Sequence, residues 1–321
     1  MRLRLVKRNT SFDFFTRWKM WLGISGLMMV VAFASFMLQG LNFGIDFRGG
    51  TTIRTESPLP VEIGLYRDAI APLELGDISI TEVFDPTFAP DQNVAQIRIQ
   101  AQDGAEAVTP ETIAAVEAAL QSVDPSLTFP SVESVGPKVS GELITTALLA
   151  VGASLVAILF YIWLRFEWQF SVGAVAALFH DVILTIGIFS LLQIRFDLAT
   201  IAAILTIIGY SINDTVVIFD RLRENLIKYK KTPLIDVMNQ SVNETLSRTL
   251  MTSGTTLIAL VALLVLGGDV IRGFVFAIFW GVVVGTYSSV YVAKNIVLFL
   301  GIDRDPKKPS DAGTQFANID A

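Results

Sequence analysis

The chain has 321 residues, is 52% hydrophobic and only 17% charged, and carries a formal net charge of −6. A water-soluble domain of this size has more charge and shorter apolar runs, so the composition points to a membrane protein. The absence of cysteine excludes disulfides, thiolate metal sites and cysteine nucleophiles, and the single histidine, His180, excludes a histidine-rich metal site.

Residues 1–20 form a basic tail, with Arg2, Arg4, Lys7, Arg8, Arg17 and Lys19 against one acid, Asp13. The first apolar run, Trp21 to Leu38, predicts a span over residues 21–40. Ala32-Phe33-Ala34 has the form of a signal-cleavage site, but Ser35 to Leu38 continues the apolar run past it. The segment therefore reads as an uncleaved signal anchor.

Leu41 to Thr51 follows, containing Asn42, Gly44, Asp46, Arg48, Gly49 and Gly50. A glycine pair permits backbone angles closed to other residues and marks a tight turn or close chain contact. Its plainest role is a structural junction between membrane and domain.

Residues 41–142 hold 16 acids and five basic residues and predict an α+β domain outside the membrane. Thr51 to Glu56 alternates like a strand, and Val61 to Ala71 reads as a short helix. Ile78 to Phe84 and Val94 to Ile99 read as strands, with Pro86, Pro90 and Asp91 turning the chain between them. Pro110 to Val123 is a helix with Thr109 as its N-cap, and Leu127 to Val135 is a last extended piece. The order β-α-β-β-α-β is that of the split, ferredoxin-like arrangement.

Five further spans are predicted over 143–164, 170–192, 198–219, 250–266 and 274–300. The fifth is short and extends earlier than its apolar run; the sixth is long enough to tilt or to pass the interface. Arg221, Arg223, Lys228, Lys230, Lys231 and Arg248 lie in the link between the fourth and fifth spans. With the N-terminal tail they place both segments in the cytoplasm by the positive-inside rule. Six spans put the tail at 301–321 on that side too, and residues 41–142 on the periplasmic side. The basic link mixes in Glu224 directly beneath a span, so it serves topology and headgroup contact rather than nucleic acid.

Asp214, Asp181 and His180 are ionisable residues that stand inside these runs. Asp214, in the fourth, costs about 2.5–3.5 kcal/mol on insertion scales, and such groups are functional by default. The alternative is a buried acid satisfied by neighbouring hydroxyls or by Arg248, serving packing alone. His180 and Asp181 fall near the middle of the third span. Adjacent residues on a helix point about 100° apart and need not bond, so His180 also reads as a packed neutral ring. Gly209 is small and allows close helix contact, and the pair Gly281 and Gly285 lets helices approach closely, within the chain or with a partner. No GxxxxGK[ST] loop occurs, which speaks against ATP as the energy source.

The segments Leu41 to Thr51, Arg165 to Trp168, Ala177 to Ile183, Gly209 to Asn225 and Arg248 to Thr256 together resemble the SecF subunits of bacterial protein export, relatives of the resistance-nodulation-division transporters. The resemblance covers roughly residues 10 to 300. It implies an inner-membrane, non-enzymatic subunit working with SecD, here a separate chain, beside the SecYEG channel. Such a subunit uses the proton-motive force to help secretory polypeptides emerge, with protons as coupling ion and no cofactor. It also implies that Asp214 and Arg248 lead the proton path; Asp181 and then His180 follow as candidates from their place in the third span and from the readiness of histidine to relay protons. Two other readings stay open: half of a proton-driven transporter exporting lipid or small molecules, and a non-transporting scaffold of an export complex.

Overall fold

A computed structural model of the chain describes residues 10–76, 78–100 and 108–302. Residues 1–9 of the expected N-terminal tail and 303–321 of the expected C-terminal tail lie outside the described residues. After an irregular lead-in, α1 (Trp18–Gln39) ends at Gly40, whose φ of 66° stops the helix. Two short elements follow, β1 (Asn42–Phe43) and α2 (Ile45–Arg48), before the chain enters the α+β domain.

That domain comprises β2 (Gly50–Ser57), α3 (Ile63–Ile70), β3 (Ile78–Val83), β4 (Asn93–Gln100), α4 (Pro110–Val123) and β5 (Thr128–Val135). The strands form one antiparallel sheet in the order β3-β4-β2-β5. This is the expected β-α-β-β-α-β arrangement. Strand alternation puts Ile53, Ile80, Ile97 and Ile99 into a core with Tyr66 and Ile70 of α3 and Val116 and Leu120 of α4. The Thr109 side chain accepts the Thr112 N–H and Pro110 occupies the first turn, so α4 starts where its capping residues dictate.

The membrane part follows as α5 (Pro137–Arg165), α6 (Trp168–Leu192), β6 (Arg195–Phe196), α7 (Leu198–Lys228), α8 (Leu234–Leu266), α9 (Asp269–Ser288), a π-helical turn (Ser289–Ala293) and α10 (Lys294–Leu300). Among the described residues, six helices are long and apolar enough to cross a membrane, α9 to α10 counting as one. α6 is the central helix: Gly173 packs on the Ala293 carbonyl and Gly187 on Ala32 of α1. At both positions a Cβ would collide with backbone, so these crossings need glycine.

Two helices run far past their apolar cores. At 33 residues α8 is about 50 Å long, more than a bilayer requires. Its first half carries Asn239, Gln240, Asn243 and Glu244, so the hydropathy signal ends while the helix continues. α7 likewise continues to Lys228 and is tied to α8 by the Asn225 amide, which donates to Ser241 Oγ (3.0 Å) and Glu244 Oε2 (2.7 Å).

Gly209 is a correction to the sequence reading. It is exposed on α7, and a Cβ there would meet nothing within 4 Å. α9 packs instead on Ile207 and Ser211, one turn apart; Gly209 lies two residues from each, about 200° around the helix.

The α+β domain is fastened to the bundle where the loop after β3 meets α9. Phe84 N–H donates to Asp269 Oδ2 (2.8 Å), and Asp269 N–H donates to the Phe84 carbonyl (3.0 Å). Asp269→Ala should remove the first of these bonds, a loss of roughly 1 kcal/mol at this exposed site. Hydrogen exchange at the Phe84 amide should then be about fivefold faster while α6 and α7 stay protected. Unchanged exchange at Phe84 would show that this bond does not hold the domain.

Candidate functional site in the membrane core

Three helices bring their polar side chains together inside the bundle. Asp181 of α6 is 1% exposed. Its Oδ2 accepts the Ser211 hydroxyl of α7 (2.6 Å) and the Ser288 hydroxyl of α9 (2.8 Å). Its Oδ1 lies 3.0 Å from His180 Nδ1. The neighbours therefore do bond: their side chains bend toward each other although their Cα–Cβ directions diverge. His180 is 2% exposed, its ring centre lies 6.1 Å from that of Tyr287, and its Nε2 has no partner among the described residues.

Gly281 and Gly285 make this convergence possible. A Cβ at Gly281 would sit 2.3 Å from Ile207 Cγ1. One at Gly285 would sit 3.1 Å from Ser211 Cβ and 3.5 Å from Asp181 Oδ2. The glycine stripe thus lies inside the chain, between α9 and α7, and lets the Ser211 and Ser288 hydroxyls reach one carboxylate.

Asp214 is a second, differently furnished carboxylate, 6% exposed on α7. Thr249 Oγ1 of α8 donates to its Oδ1 (2.9 Å), and its Oδ2 has no partner among the described residues. Close by, Thr215 donates to Ser289 (3.2 Å), and Ser253 and Thr286 hydrogen-bond at 2.7 Å. Among the described residues Asp214 forms no ion pair with Arg248, which is exposed on α8 beside Thr249. The residue that touches Asp214 from α8 is therefore the threonine, with the arginine about 100° around the helix.

Asp181 thus has three partners and Asp214 has one, leaving a free carboxylate oxygen that can take up a proton without breaking a bond. Thr249→Val keeps the shape and removes the donor. The loss should cost about 1–2 kcal/mol and lower the melting temperature in detergent, with Thr249→Ser restoring it. Equal melting for Val and wild type would mean the bond is not a stabilising one.

The junction residues form a clasp. Asn42 Nδ2 donates to the Gln193 carbonyl (3.0 Å) and Gly44 N–H to the Phe196 carbonyl (2.8 Å). β1 pairs parallel with β6, and Asp46 Oδ2 accepts the N–H of Leu198, the first residue of α7 (3.0 Å). A carboxylate there also suits the positive end of the helix dipole. Gly49 and Gly50 adopt φ of 75° and 135°, which only glycine takes without strain. The start of the α+β domain is thereby fixed to the helix that carries Asp214 and Ser211.

The sequence reading singled out the two aspartates and His180 but gave no role to Thr249 or Tyr287. Ser288 and Ser289 carried a signal, lying just below the glycine pair.

Comparison with known proteins agrees with this architecture. The pattern of the family described as protein export membrane protein SecD/SecF, C-terminal, matches residues 115–303, and the SecD/SecF GG motif matches residues 34–57. The chain is 67% identical over 321 residues to protein translocase subunit SecF of Cereibacter sphaeroides, covering 100% of this chain and 99% of that one. It is 62% identical to protein translocase subunit SecF of Rhodobacter capsulatus, covering 99% of this chain and 97% of that one. Among solved structures it resembles SecDF of Thermus thermophilus, a translocon-associated membrane protein, with a TM-score of 0.80 and 35% identity. That match covers 94% of this chain but 40% of the solved one. SecDF in its super-membrane-facing form gives a TM-score of 0.69 at 36% identity, covering 93% and 40%. A multi-pass bundle, a GG-motif clasp and near-full-length identity at this level leave one conclusion: the chain belongs to the SecF branch of the SecD/SecF family of protein-export membrane proteins.

Proposed function

We propose that this subunit works with a separate SecD chain beside the SecYEG channel and uses the proton-motive force to assist secretory polypeptides leaving it. Both termini face the cytoplasm and residues 41–142 face the periplasm, as the basic segments require. The observation that carries the reading is the pair of buried carboxylates on converging helices, one of them with a free oxygen.

Asp214 is the group that gains and loses the proton. When ionised and approached by Arg248, it holds α7 and α8 together by charge; when protonated, it is held by Thr249 alone. Arg248 has a long enough stem to swing between the interface and the carboxylate. Asp181, His180 and their serines form the second station. The clasp at Asn42, Gly44 and Asp46 passes any movement of α7 to the periplasmic domain. One proton crossing 100 mV releases about 2.3 kcal/mol, enough to bias a two-state helix arrangement roughly fiftyfold.

Inverted membrane vesicles test this. Late-stage export is measured with and without a pH gradient for wild type and Arg248→Met. The gradient should stimulate wild type and stimulate the variant much less. Equal stimulation of both would remove Arg248 from the path. Purification should bring SecD along; its absence would favour a transporter working alone.

A further inference from the structure

We propose that residues 10–16 form a latch that clamps α8 to α10 and opens during the working cycle, with Lys294 beneath it as the group whose return to water drives opening. The latch stands on its own geometry; its use in export rests on the proton-driven reading above.

The segment is too short to fold alone and takes its shape from its contacts. Asp13 closes its turn: the carboxylate accepts the Phe15 N–H (2.9 Å), the Thr16 N–H (3.0 Å) and the Thr16 hydroxyl. The Trp18 N–H then donates to the Phe15 carbonyl (3.0 Å), and α1 begins. Upstream of that turn the segment is tied to α8. Thr10 Oγ1 donates to the Asn243 carbonyl (3.2 Å), and Asn243 Oδ1 accepts the Phe12 N–H (2.9 Å). Asn243 Nδ2 donates to the Phe12 carbonyl (2.8 Å), and Asn239 Oδ1 accepts the Phe14 N–H (3.0 Å). Asn239 and Asn243 are one turn apart, so a single face of α8 holds the segment.

Under the turn lies Lys294, the first residue of α10, 1% exposed. Its Nζ has no hydrogen-bond partner among the described residues. It lies 4.0 Å from the ring centre of Phe15, 4.8 Å from that of Phe14 and 5.6 Å from that of Tyr291. Phe14 and Phe15 belong to the latch, so lifting it uncovers the nitrogen. Asp13 attracts the ammonium through space, yet the two form no ion pair among the described residues. Cation–π contacts offset only part of what removing an ammonium from water costs.

The closed latch therefore contains two opposed terms. Its bonds to α8 and the burial of Phe14 and Phe15 hold it shut. The ammonium beneath pulls the other way, because lifting the rings returns it to water. A permanent strap would be served better by methionine at this position, which fills the same space without that penalty. Opposed terms let a modest outside force decide between shut and open. A polar cavity of about 490 Å³ runs along the segment, with Thr10 and Ser11 on one side and Asp236 and Glu244 of α8 on the other. The edge along which the latch parts from α8 is thus already polar and open.

What the latch joins decides what it controls. It is continuous with α1, bonded to α8 and seated on α10, and Trp21 of α1 packs on Tyr291 with ring centres 4.6 Å apart. Thr249, which donates to Asp214, lies six residues beyond Asn243 on α8, about 9 Å along the axis. While the latch is shut, the first half of α8 is held against α10 and Thr249 stays on Asp214. When it opens, α8 is free to move against α7. The latch carries no proton; it sets whether the helix beside Asp214 can shift.

Hydrogen exchange of residues 10–16, in the full-length protein with its SecD partner, reads the latch directly. Lys294→Met should slow it about tenfold, because shutting no longer buries a charge. Asn243→Ala removes two of the side-chain bonds to Phe12 and should speed it about tenfold or more. If cation–π contacts were what hold the segment, Lys294→Met would speed exchange instead; that result, or no change, overturns the proposal. Opening is tested by locking. The chain has no cysteine, so Phe12→Cys with Asn243→Cys gives one pair that oxidation, or a short reducible cross-linker, can close. In inverted vesicles the locked protein should lose the gradient-dependent part of export and recover it on reduction. Full stimulation of the locked form overturns the proposal, as does a loss that reduction fails to reverse. If wild type itself ignores the gradient, the proton-driven reading falls, and the exchange rates alone decide the latch.

Discussion

Asp214→Asn is expected to accumulate, fold and join its partner normally while losing all of the export stimulation that depends on the pH gradient. Asparagine has the shape of aspartate and can still accept the Thr249 hydroxyl, which now donates to Asp214 Oδ1 at 2.9 Å. It cannot take a proton at the position of Oδ2, which has no partner among the described residues. The substitution thus removes the chemistry and leaves the packing. Export in vesicles driven by ATP alone should be unchanged, and the increment added by the gradient should vanish. A variant that keeps the full increment would show that Asp214 is a structural acid.

The second large effect is on stability. Gly281→Ala puts a methyl group 2.3 Å from Ile207 Cγ1 and 2.4 Å from its Cδ1, at a residue that is itself fully enclosed. Overpacking of this kind costs about 1–3 kcal/mol. It should also push α9 off α7, separating Ser211 from Ser288 at Asp181. Ile207→Ala alone should cost about 2–5 kcal/mol as a cavity. The double variant should be more stable than the sum of the two by about 1–3 kcal/mol, because each change relieves the other. Unfolding of the purified protein in denaturant measures all three. Strict additivity would mean that the two residues do not share this contact.

The parts of the fold visible in the sequence are those where one physical signal dominates. The α+β domain follows from strand alternation, from the Pro and Asp turn between β3 and β4, and from Thr109-Pro110 at the start of α4. The apolar cores of all six spans stand out for the same reason. The first half of α8 does not, because its helix is stabilised by contacts such as Asn225 with Ser241 rather than by apolar length. The pairing of β1 with β6 joins segments 153 residues apart and leaves no local trace.

The site divides in the same way. Asp181 and Asp214 are conspicuous because charge is rare in such runs. Their partners are not, since hydroxyls in these helices mostly bond to their own backbone: Thr185 to the Asp181 carbonyl, Thr206 to Ala202, Thr255 to Met251. Nothing in the sequence separates those from Ser211 or Thr249. Gly209 misled for a related reason: a small residue marks a close contact only on the face where a neighbour lies.

The most direct measurement is infrared difference spectroscopy on the subunit with its partner in vesicles, comparing spectra before and after a pH gradient is imposed. The account predicts a carboxylic-acid C=O band that changes with the gradient in wild type and is missing in Asp214→Asn. A spectrum in which the gradient changes no carboxyl band, or changes the same band in the Asn variant, would contradict it.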